Sequence, residues 1–181
     1  MEQLLSTLTI GGIGSVLGII LREIWVQYAQ KRKQIELDLW KVRIESTERR
    51  LREFLWPIYI RLQRDNTVWT RILARGSGDE EASRVARQVE SDIIIPNHVK
   101  IIELIERGMH FIKSDSDLER ATLAYMRHID IYRSLRAAGI FDKDPIMFDE
   151  PYPREFFELI KLRVNELQKN YDAILDEKIQ A

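Results

Sequence analysis

Apolar positions along the chain return every third or fourth residue, and no stretch alternates apolar and polar residues two by two, so the sequence predicts an all-α fold. Leu37, Trp40, Ile44, Leu51, Phe54 and Ile58 follow a 3-4 spacing, with Thr47 in the missing step, as in a heptad seam on one long amphipathic helix. Such a seam packs either on the chain's own domain or on another subunit. Pro57 removes a backbone donor, so this helix is expected to kink or restart at Trp56-Pro57. Ile58, Leu62, Trp69, Ile72 and Leu73 resume the spacing up to the breaker Gly76-Ser77-Gly78.

Further helices follow the same logic. Ser77 or Asp79 is placed to cap a helix over 80–94 with Val85, Val89 and Ile93 inward, and Pro96 is expected to close it. Asn97 then starts a helix that is apolar around most of its circumference, from Val99 to Ile112, and so suited to the centre of a core. Ser116 and Glu119 stand at capping-box spacing before a helix with Leu118, Tyr125, Ile129, Tyr132 and Leu135 inside, and Gly139 is a natural C′ residue. The last helix starts near Arg154, with Phe157, Ile160, Val164, Leu167, Tyr171 and Ile174 on its seam. Four to five helices in a bundle is the expected architecture.

The run Leu4–Leu21 holds no charged side chain, and about 18 residues at ~1.5 Å each give roughly 27 Å, near the ~30 Å hydrocarbon core. It is therefore expected to be a transmembrane helix, with Trp25 and Tyr28 at the interface. The expected division is an anchor over 1–28 and a cytosolic helical bundle over 29–181. Arg22, Lys31, Arg32 and Lys33 all follow the run, which by the positive-inside rule places the N-terminus outside and the domain in the cytoplasm at the inner membrane. Gly11, Gly14, Ser15 and Gly18 lie one turn apart in pairs, a small-residue face for helix packing in lipid. A ring of such helices would line a pore with Ser6, Thr9 and Ser15.

The balance of 28 Lys and Arg against 29 Asp and Glu gives a net charge of −1, so no global basic field points to nucleic acid as a direct ligand. The absence of cysteine removes disulfides, thiol catalysis and Cys-based metal sites. His98, His110 and His128 are the only nitrogen ligands or imidazole bases, and none stands in a di-iron, HExxH, phosphate-loop or nucleophile-elbow pattern. No catalytic residue, metal or cofactor is therefore expected.

Two places attract attention as contact sites. Arg61, Arg64, Asp65, Asn66 and Trp69 form a dense polar cluster beside an aromatic. The 140–153 loop carries Phe141, Met147, Phe148 and Tyr152 among three prolines that restrict it, a candidate surface for a cytoplasmic protein partner unless those rings fold onto the core. A short membrane helix on a helical domain is similar in layout, though in no residue, to small membrane effectors and accessory proteins of prokaryotic defence systems. That layout implies an interaction protein that self-associates at the lipid bilayer as a homo-oligomer. The alternative is a tethered enzyme or nucleic-acid-binding module.

Overall fold

Proline decides how the helices are built. The computed structural model describes the backbone of residues 2–72 and 80–179 and the side chains of 21–72 and 80–176. Helix α1 spans Glu2–Arg50, a π-helical turn Leu51–Leu55 follows, and α2 is Trp56–Arg71. The same sequence of elements recurs in α3 (Glu80–Val89), a π-helical turn Glu90–Ile94 and α4 (Ile95–Gly108). A proline inside an α-helix clashes with the carbonyl four residues back, here Glu53 for Pro57 and Asp92 for Pro96. Both of those residues lie inside the π turns, where bonding shifts to i−5: Trp56 N–H donates to Leu51 O, and Ile95 N–H to Glu90 O. The widened turn accommodates the ring, so the chain stays helical through each proline instead of stopping at Pro96.

The chain divides into two units, Met1–Glu45 and Ser46–Ala181. The first is helix α1 alone as far as Glu45. Among the described residues no helix is long and apolar enough to cross a membrane. The single-pass, inner-membrane assignment is therefore corrected. From Leu21 onward α1 meets Arg22, Glu23, Lys31, Arg32, Lys33, Glu36 and Asp38, and each such charge costs ~2.5–3.5 kcal/mol at the centre of a spanning helix. The side chains of Gly11, Gly14, Ser15 and Gly18, and those of Ser6 and Thr9, lie outside the described residues.

The second unit is a helical bundle of the π turns with α2, α3, α4, α5 (Asp117–Ala137) and α6 (Arg154–Ile179), and no strand occurs among the described residues. Its core joins Phe54, Ile58 and Leu62 to Ile101 and Ile105 of α4, Tyr125 and Ile129 of α5, and Phe156, Ile160 and Val164 of α6. The apolar α4 is central, as its composition requires. The lower half of the Leu37–Ile58 seam, Leu51, Phe54 and Ile58, is buried in this core, whereas Leu37 is exposed. The extra residue of the second π turn also changes the helix phase: Ile94 is buried, while Ile93 is half-buried and Val85 exposed. The breaker 76–78 and its capping residues Ser77 and Asp79 lie outside the described residues.

Helix α5 starts and stops where the sequence signals it. The Ser116 hydroxyl accepts from Glu119 N–H at 3.1 Å, while the Glu119 carboxylate reaches back to Asp115 N–H at 2.6 Å, one residue beyond the usual box. Gly139 takes φ +73°, and Ile140 N–H closes on Leu135 O at 2.9 Å.

Candidate functional site

Three features of the molecule bear on function, and each lies within a single unit. The first is a face of α1. Leu21, Trp25, Tyr28, Arg32, Ile35, Leu39 and Val42 repeat at 4-3-4-3-4-3 spacing, and the six apolar members are 50–71 % exposed. Residues at this spacing share one side of a helix. This seam runs beside the Leu37–Trp40–Ile44 seam and escaped the sequence reading, because two overlapping stripes on one helix give no rule for which of them serves the chain's own core.

The second feature is a buried polar network. Arg61 and Asp65, one turn apart on α2, face Asn97 and His98 at the start of α4. Asn97 locks the two helices by accepting from Arg61 Nη1 and donating to Arg61 O, both at 2.9 Å. His98 Nδ1 lies 2.7 Å from the Tyr125 hydroxyl and 3.5 Å from Asp65 Oδ2. Burial holds the His98 imidazole neutral, with its pKa lowered to about 4 and the nearby His128 adding to the effect, and its Nδ1 shares one hydrogen bond with the Tyr125 hydroxyl. Neither Asp65 carboxylate oxygen has a hydrogen-bond partner among the described residues. Burial pushes its pKa up to about 6, against the weaker opposing pull of Asn97, Arg64 and Arg61. Toward the other end of α5, Glu90 of the second π turn accepts from the Tyr132 hydroxyl and, at 2.7 Å, from Arg136 Nε.

Asp65 and His98 respond oppositely to pH. A raised carboxyl pKa adds stability below about 3.8 that is lost as pH rises through about 6, whereas a lowered imidazole pKa adds stability above about 6.5 that is lost as pH falls through about 4. The windows overlap, so the two effects offset each other in the intact protein. Burial is the main cause of each shift, so each persists when the other residue is replaced. Relative to wild type, Asp65→Asn should therefore gain stability as pH rises from 4 to 7 and His98→Gln should lose it, each by roughly 1–3 kcal/mol. Urea midpoints across that range measure this, and slopes of the same sign would contradict it.

The third feature is the 140–153 loop, which is tied down at both ends. Arg136 Nη1 donates to Ile140 O at 2.9 Å and Lys143 O at 3.0 Å. His128 Nδ1 donates to Glu150 O at 2.8 Å, and Arg127 Nε to the Glu150 carboxylate at 2.8 Å. Asp144 caps the short 3₁₀ turn Pro145–Phe148. Phe141, Met147, Phe148 and Tyr152 are all exposed, and one edge of the Tyr152 ring also packs against Tyr125 and His128. His128 is thus a loop anchor, with Arg127 beside it on Glu150, while Asp130 lines a different place, an open 640 Å³ cleft between the second π turn and α5. Arg87, Arg133 and Arg136 in that cleft stand with Glu90 and Asp130, and Arg136 is already paired with Glu90, so its walls carry both signs.

The polar cluster expected on α2 divides by helix face. Arg61 and Asp65 turn inward to α4, whereas Arg64, Asn66 and Trp69 are exposed. His98 beside Asp65, and Asn97 on Arg61, could not be paired with them from sequence, because the pairing is tertiary. Among the described residues no group of three His, Cys, Asp or Glu could hold a metal ion. Comparison with protein-family models, curated proteins and solved structures gives no match.

Proposed function

We propose that this chain is a self-associating helical interaction protein, in which the outward face of α1 is the assembly surface and the bundle is the body it assembles. One observation carries the reading. Six large apolar residues stand at heptad spacing with half or more of their surface in water. At roughly 100 Å² each they approach the ~800 Å² per partner of a standard interface, and a patch of that size on a lone chain marks an interaction site. The exposed Phe141, Met147 and Phe148 give the bundle a surface of its own for a further protein partner.

Hydrogen exchange tests the proposal on the intact protein. The backbone of 21–45 is a single helix with local pairs such as Arg32–Glu36 at 3.3 Å, and helical pairs of this kind contribute only a few tenths of a kcal/mol each. Raising the protein concentration should slow exchange over 21–45 by at least about tenfold while core amides of α4 keep their rates. Concentration-independent exchange over 21–45 would contradict self-association through this face.

A further inference from the structure

We infer that the occupant of this face is α1 of a second copy, running parallel and in register, selected by two charge pairs that flank the seam. The inference rests on the self-association proposed above and specifies its geometry. In heptad terms the 4-3 spacing places Trp25, Arg32 and Leu39 at a, and Leu21, Tyr28, Ile35 and Val42 at d. Lys31 and Asp38 then occupy g, and Glu36 and Arg43 occupy e.

In a parallel pair each g residue meets the e residue five positions further along the other helix. Lys31 then faces Glu36 of the second copy, and Asp38 faces Arg43 of the second copy, each pair occurring twice by symmetry. All four encounters join opposite charges. An antiparallel pair overlapping over 25–42, by contrast, sets Arg22 against Arg43 of the second copy twice, cancelling the attraction between Lys31 and Asp38. An antiparallel pair overlapping over 21–39 sets Arg22 against Glu36 of the second copy twice but brings Lys31 against its own symmetry mate. The parallel pair therefore gathers more opposite-charge encounters than either antiparallel overlap, and gathers them with no like-charge encounter.

Arg32 is the single charged residue in the seam. Its guanidinium lies 3.3 Å from Glu36 one turn on, and its side chain is 72 % exposed, so its stem can cover the seam while its head stays in water beside a carboxylate. A lone polar a residue costs stability in any register, but least where it meets its own counterpart, since a slip would set it against an apolar layer. That is how such residues fix register.

The lack of native cysteine makes the test direct. The full-length Ile35→Cys variant, under mild oxidation, should form a covalent dimer, because a d residue meets itself only in a parallel, in-register pair. Asp38→Arg should weaken dimerisation roughly tenfold, and adding Arg43→Asp should restore it. Dimers that Ile35→Cys leaves uncrosslinked, but that crosslink when Arg32→Cys and Ile35→Cys chains are mixed, would show antiparallel pairing and overturn this inference while leaving self-association intact. A chain that stays monomeric at every concentration would overturn both.

Discussion

Gly108→Val should lower the stability of the bundle by about 3 kcal/mol or more, roughly 6–12 °C in melting temperature, although a side chain is ordinarily an improvement on glycine in a helix. The reason is the space that Gly108 leaves for its neighbour. A Cβ at this position would run into Cδ2 of the Phe54 ring, with Cε2 at 2.7 Å and Cγ at 3.0 Å. Phe54 has nowhere to retreat, since it is 1 % exposed and tilts against Phe111 with ring centroids 5.9 Å apart. The Phe111 carbonyl is itself held by Arg50 Nη2 at 2.7 Å. Even Gly108→Ala should destabilise, reversing the ~1 kcal/mol that helix propensity alone would give. Differential scanning calorimetry of both variants reads this, and an Ala variant more stable than wild type would show that Phe54 is free to move.

The second large effect concerns assembly. Replacing Ile35 and Leu39 together with Asp should weaken self-association by at least about 100-fold, because each copy loses two seam layers worth ~1.5–3 kcal/mol apiece and gains like charges facing each other. Both residues are exposed in the single chain, at 50 % and 62 %, so the melting of the bundle should be unchanged. That separation of assembly from folding is the signature of an interface residue.

The elements that were legible in the sequence are those whose signals are local. Ser116, Glu119 and Gly139 mark the ends of α5 through turn chemistry that neighbouring residues supply, and the all-α class follows from spacing alone. What was not legible depends on geometry that local spacing does not carry. Each π turn adds one residue to the helical phase, so the expected inner face slipped from Ile94 to Ile93 and a break was expected at Pro96. On α6, Phe156 is fully buried and stacks on Tyr125 at 4.5 Å, whereas Phe157, the expected core residue, is half-buried against Tyr59. Two adjacent phenylalanines fit a 3-4 pattern equally well, and only the position of α5 decides between them. Asp65 reads in the sequence as one member of a polar cluster on α2, because nothing near it on the chain announces His98. The α1 face was hidden for a related reason, since its apolar residues alternate with a stripe that leads into the core.

Sedimentation equilibrium of the full chain, over a wide concentration range and beside the Ile35→Asp, Leu39→Asp double variant, tests the proposed assembly most directly. Self-association through α1 requires the wild-type mass to rise with concentration to that of a dimer while the variant stays at monomer mass over the same range. A wild-type chain that remains monomeric throughout, or a variant that assembles as readily as wild type, would contradict it.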